Sequence, residues 1–143
     1  MKREQGGALV ELAMMLPLML TLVFVTTEFG RAYYQYNTLA KSVREAARYL
    51  SVRAQGVNVA QAKNIVVYGT PTPTTNSRAV LPNLDLSKVQ DPTRATTGTY
   101  PVVTTVTVTV SGYTFKPMVS SVFGFPLNTI TFSPIRATMR SPT

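Results

Sequence analysis

The first residues that carry chemistry are a glycine pair, Gly6 and Gly7, and one carboxylate, Glu11, set inside an apolar run. Residues 8–27 hold twenty positions, and Glu11 is the only ionisable one among them. A charged acid within a bilayer costs several kcal/mol unless it is paired, neutralised or able to reach the headgroups. Snorkelling from a position near the helix end is one answer. The glycine pair offers another. A cut between Gly6 and Gly7 makes Glu11 the fifth residue of the remaining chain and creates an α-amino group one helical turn from the carboxylate. Such an amine has a pKa of about 7.7–8.0 and is largely cationic at neutral pH. Pairing it with Glu11, in one chain or between neighbours, offsets part of the burial cost and fixes the register of packed helices.

The element that positions these residues is a helix. At about 1.5 Å per residue, a helix over residues 8–27 is about 30 Å long, the thickness of a hydrocarbon core. Lys2 and Arg3 precede the run, so the positive-inside rule keeps the N-terminus cytoplasmic. Arg31 and Lys41 follow it and weaken the local asymmetry, but long polar domains translocate largely regardless of charge. Tyr33, Tyr34 and Tyr36 fall just past the span, where they suit either a membrane interface or packing on an outer domain. A cleaved secretory signal is disfavoured: the apolar run is too long, no A-x-A site follows it, and it carries an acid. Pro17 lies within the run and removes one helix hydrogen bond. It reads as a kink in a span, or as a point where the helix yields during packing.

Composition narrows the chemistry further. The chain has 143 residues, a net charge of +8 and neither cysteine nor histidine. It therefore lacks a disulfide framework, a thiolate nucleophile, the commonest general base and the commonest metal ligands. The six acids (Glu4, Glu11, Glu28, Glu45, Asp85 and Asp91) are scattered, which leaves no two-carboxylate hydrolase. Lys41, Arg44, Arg48 and Arg53 form the densest basic group, at the spacing of a solvated helix face rather than a nucleic-acid site. The sequence implies no enzyme activity, cofactor, metal or nucleic-acid partner.

The order of the N-terminal pieces is more specific than any one of them. "GALVELA", Pro17, "EFGR" (Glu28, Phe29, Gly30, Arg31) and "REAAR" (44–48) together resemble the TadE-like family of the tight-adherence (Flp) type IV pilus systems. The resemblance covers about residues 5–50. It implies a minor pseudopilin, an accessory subunit in assembling the pilus rather than its bulk. It also implies a leader removed on the cytoplasmic side by a prepilin peptidase. Its partners would be that peptidase, other pilins and pseudopilins, the pilus assembly platform and the lipid bilayer. Carried onto this chain, Gly6 precedes the scissile bond, Gly7 becomes the new N-terminus and Glu11 is the acid used in processing and packing. The cut could fall after either glycine, and the spacing to Glu11 favours the bond after Gly6.

Beyond the span the pattern stays helical and becomes amphipathic. Leu39, Val43, Ala46, Ala47, Leu50 and Ala54 approximate one stripe, with Glu45 placed to pair with Arg48. One helix is expected to about residue 53, with Gly56 as a stop. Asn58 is placed to cap a second helix over residues 59–68 that ends at Gly69. Residues 69–99 read as a Pro/Thr-rich loop, with residues 80–89 the best source of a third short strand. Val102, Val106, Val108 and Val110 alternate with threonines, the period of a half-buried strand. Residues 127–139 read as a second strand, with Pro134 marking an edge or bulge, and "KPMVSSVFGF" as a connection of about one helical turn.

The expected architecture is α+β: a long transmembrane-to-soluble helix packed on a small antiparallel sheet, the lollipop form of a pilin. The segments are a leader (1–6), the long helix (7–54, spanning at about 8–27) and an outer α+β domain (55–143). The expected place is a bacterial inner membrane, single-pass, N-terminus cytoplasmic and outer domain periplasmic, with entry into the pilus. The expected function is a processed pseudopilin-like structural subunit. The alternative is an uncleaved, membrane-anchored envelope protein whose outer domain binds a partner.

Overall fold

The computed structural model describes residues 4–141. The chain is α+β, a long N-terminal helix followed by a small antiparallel sheet. Helix α1 runs Glu4–Ser51 and α2 Val59–Tyr68. A short 3-10 turn at Leu86–Lys88 precedes the strands β1 (Thr93–Thr97), β2 (Val103–Val110), β3 (Thr114–Phe115), β4 (Ser121–Val122), β5 (Phe125–Pro126), β6 (Ile130–Thr131) and β7 (Ile135–Ser141). These form two compact units. One holds α1 as far as Tyr33 together with Lys116–Thr129; the other holds Tyr34–Phe115 and the chain from Ile130.

The second unit contains the main core. Strand order is β1-β2-β7, antiparallel throughout, with Val108 opposite Ala137 and Val110 opposite Ile135. Val106, Val108 and Val110 are buried while the threonines between them are half-covered, so the period-two pattern is real. Leu39, Val43, Ala46, Ala47 and Leu50 of α1 join them in one apolar cluster, with Ile65, Val66 and Val67 of α2. Each large aliphatic side chain buried this way contributes about 1.5–3 kcal/mol, which a three-stranded sheet cannot supply alone. Ala54 does not extend the stripe: α1 stops at Ser51 and Ala54 is exposed. Glu45 and Arg48 form no ion pair among the described residues, as expected for two exposed side chains for which water competes.

Helix α2 has the expected bounds, but its start is built differently. Asn58 adopts the left-handed conformation (φ 62°) and makes no side-chain cap; its amide Nδ2 instead donates to the Tyr49 hydroxyl at 3.3 Å. The stop is the expected one. Gly69 sits at φ 71°, where L-residues are disfavoured, and its N–H donates to the Ile65 carbonyl at 3.0 Å.

Residues 69–99 are not a plain loop. The Val80 N–H donates to the Val67 carbonyl, and Leu81, Leu84 and Val89 enter the core. The third strand of the sheet is β1, beyond the 80–89 stretch where it was expected; there Val89 makes only an isolated bridge to Val110. Threonine-rich "TRATT" lacks the apolar alternation that marks a strand because its face is largely exposed. Pro134 divides the expected 127–139 strand into β6 and β7, and β7 is an edge strand. The connection between β3 and β6 is the β4–β5 hairpin, not a helical turn. Phe123 (φ 46°) and Gly124 (φ 84°) form its two-residue turn, and both positive φ values match the twist of a hairpin.

Arg94 of β1 closes the C-terminal end of α1. Its Nη2 donates to the carbonyls of Leu50 (3.0 Å) and Arg53 (2.6 Å), and its Nη1 to the Ser141 hydroxyl (2.9 Å). Ser141 Oγ in turn donates to the Ser51 carbonyl at 2.8 Å. The last carbonyls of a helix have no partner within it and carry its negative dipole end, so a guanidinium satisfies both needs. Arg94→Ala should destabilise this unit by about 1.5–3 kcal/mol. Arg94→Lys should recover only part, because an ammonium lacks the planar fork. Urea unfolding of the detergent-solubilised chain checks both; an unchanged midpoint for Arg94→Ala would remove the clamp from the account.

Candidate assembly site on the N-terminal helix

The residues singled out by the sequence all lie on the first part of α1. Gly6 and Gly7 are inside the helix and exposed, with nothing within 4 Å of where a Cβ would stand. Glu11 is exposed and one turn beyond Gly7, and among the described residues no ion pair involves it. An open helical face thus carries the carboxylate, with space beside it for an amine.

The helix around them suits lipid. Its apolar stretch has a mean hydropathy of 2.3 and holds no buried residue, so α1 is long and apolar enough to cross a membrane. Leu9, Leu12, Met14, Met15, Leu18, Met19 and Leu22 are all exposed. Water would oppose such a surface, whereas hydrocarbon accepts it. The hydroxyls in the helix are satisfied internally. Thr21, Thr26 and Thr27 each donate to the carbonyl four residues back, at 2.8 Å. Thr21 thereby binds the carbonyl of Pro17, which lies within the continuous helix. Proline has no N–H, so residue 17 returns no hydrogen bond to the preceding turn.

Glu28 has a role that spacing only half reveals. It is buried, and its Oε2 accepts from Arg31 Nη1 at 2.7 Å. Its Oε1 accepts from the Met118 backbone N–H at 3.1 Å. The carboxylate therefore ties the segment Lys116–Thr129 to the helix. The i, i+3 relation of Glu28 and Arg31 signals the ion pair, but nothing in the sequence signals Met118. Between them, Phe29 and Gly30 are exposed. The tyrosines divide. Tyr36 packs edge-on against Phe132 with ring centres 5.5 Å apart, whereas Tyr33 and Tyr34 stay largely exposed.

The family model described as TadE-like protein matches residues 6–48. This is the resemblance read from the motifs, and it covers about the first third of the chain, including Gly6, Gly7, Glu11, Pro17 and Glu28–Arg31. No curated protein and no solved structure matches the chain. A TadE-like segment suggests involvement in tight-adherence (Flp) pilus systems and association with pilus machinery in general. Within it, the apolar helix supplies an anchor able to span a membrane.

The two aspartates have structural partners. Asp91 pairs with Lys63 at 2.6 Å. Asp85 accepts from Lys88 Nζ at 2.6 Å, from the Ser87 N–H at 2.9 Å and from the Ser87 hydroxyl, and so caps the 3-10 turn. The Lys88 ammonium foremost, then Ser87, lowers the Asp85 carboxyl to about 2. Among the described residues no three acids gather to hold a metal.

Two outcomes follow. Glu28→Gln removes the charge from both bonds, and exchange of the Met118 amide should accelerate about tenfold. Unchanged exchange would show that the segment is held by other contacts. For Asp85, a depressed folded pKa means that its cap is fully formed above the ordinary value of 3.8 and lost as pH falls through about 2. Carboxyl NMR should place its midpoint there, and Lys88→Ala should raise it towards the ordinary value.

Proposed function

We propose that this chain is a structural subunit, not an enzyme: a minor pseudopilin-like component for assembly of a tight-adherence (Flp) type IV pilus. In this reading residues 1–6 are a leader, removed on the cytoplasmic side by a prepilin peptidase at the bond between Gly6 and Gly7. The chain sits in a bacterial inner membrane with its outer domain periplasmic, and then joins other pilins and pseudopilins at the assembly platform. The observation that carries the reading is the placement of Gly7 and Glu11 one turn apart on an open face of an apolar helix, within the TadE-like segment. A Gly7 amine and the Glu11 carboxylate, once desolvated, attract far more strongly than in water. That pairing aligns one helix against the next. Lys2 and Arg3 favour a cytoplasmic N-terminus. The absence of histidine and cysteine, and the pairing of Asp85 and Asp91 with lysines, fit a subunit without catalysis.

One observation favours a second reading, the uncleaved anchored envelope protein with an extracytoplasmic binding domain. The Gly6–Gly7 bond lies inside α1, whereas cleavage needs an extended chain. Each glycine weakens a helix by about 1 kcal/mol, so local unwinding there is inexpensive.

Mass spectrometry of the membrane-bound chain, with and without the peptidase, separates the two. A mature N-terminus at Gly7 that depends on the peptidase is the expected result; an N-terminus at Met1 in peptidase-competent cells would sink the pseudopilin reading. Glu11→Ala should still lose its leader but fail to enter the assembly. Normal assembly of that variant would remove the packing role.

A further inference from the structure

We propose that the β4–β5 hairpin within Lys116–Thr129 is a second membrane contact, an apolar tip seated in the headgroup region of the outer leaflet beside the exit of α1. The proposal rests on reading α1 as a membrane span. Three observations carry it.

The first is position. The Met118 N–H is bonded to Glu28, and residue 28 is the first after the apolar run of residues 8–27. The helix and this segment belong to the same compact unit. On the helix face of Glu28, Thr21 and Val25 are half-covered, while Leu22, Val23 and Phe24 beside them are exposed. The hairpin is therefore attached at the level where the helix leaves hydrocarbon.

The second is chemistry. Met118 is 78 % exposed, Phe123 58 % and Phe29 64 %. Residues 116–129 contain no acid, and Lys116, exposed at their start, suits anionic headgroups. An aromatic ring with apolar neighbours and a nearby cation is the pattern of an interfacial anchor.

The third is conformation. A two-residue hairpin turn with two positive φ values favours Asn-Gly or Asp-Gly. Here the first position is Phe123, at φ 46°, where a bulky side chain is strained. Its ring is not buried, so packing within the chain does not repay the strain. Burial of the ring in lipid does.

The chain lacks cysteine, so single cysteines carrying a polarity-sensitive fluorophore report each position cleanly. The full chain is placed one copy per nanodisc of phosphatidylcholine and phosphatidylglycerol, and labelled as Phe123→Cys, Met118→Cys, Met15→Cys or Ser77→Cys. Shallow-doxyl lipid should quench the labels at 123 and 118, and iodide should quench them several-fold less than the label at 77. The label at 15 should respond to deep-doxyl lipid. Labels at 123 and 118 that respond to iodide as the label at 77 does overturn the proposal, as do labels that respond to neither reagent, which places them against protein. If the label at 15 also reports water, the span itself fails. If it reports lipid, only the hairpin contact does.

Discussion

The sheet depends on one stripe of one helix. Three antiparallel strands, two of them edges, have a single apolar face built mainly from Val106, Val108, Val110, Ile135 and Ala137. Without a cover that face would meet water, and the sheet would be marginal. The cover is Leu39, Val43, Ala46, Ala47 and Leu50, with α2 alongside. Arg94 and Ser141 then close the helix end where this cover stops, satisfying the Ser51 and Arg53 carbonyls and adding a second bond to that of Leu50.

The same helix presents a different surface at its start. From Gly6 into the twenties its apolar side chains are exposed, and its threonine hydroxyls bond to their own backbone. One continuous helix can do both because its backbone hydrogen bonds are internal and indifferent to what surrounds them; only the side chains change. Glu28 marks the change. It is a buried acid whose two oxygens are both used, one by an arginine three residues on and one by a backbone amide ninety residues away. A buried carboxylate is tolerated when it is paired and hydrogen-bonded in this way.

Much of this fold was legible. The helix was visible in its period, α2 in its bounds and its glycine stop, and β2 in its alternation of valine with threonine. Four features escape the local pattern, each for its own reason. β1 is silent in the sequence because an exposed threonine strand has no apolar face to announce it. Composition alone runs a strand across residues 127–139, whereas Pro134 separates β6 from β7. The β4–β5 hairpin is hidden because Phe-Gly is an uncommon pair for the turn it makes. Asn58 has the residue type of a cap, but its backbone is left-handed and its amide turns to Tyr49. For the candidate site, Gly6, Gly7, Glu11 and Pro17 stand out in the sequence because their spacing along one helix is short.

The sequence by itself determined what depends on neighbours in the chain: an apolar helix long enough for a membrane, an acid one turn beyond a glycine pair, and an amphipathic continuation. Periodicity and covalent geometry suffice for these, since each relation spans only a few residues. The tertiary structure alone decided which distant groups meet. It brought Met118 to Glu28, Arg94 to the end of α1, and Tyr113 to Gln35, whose side-chain oxygen accepts from the buried tyrosine hydroxyl at 2.8 Å. These contacts join polar groups across 41 to 90 residues of chain. No local pattern encodes them, because a buried polar atom takes whichever partner the packing of the apolar core carries to it.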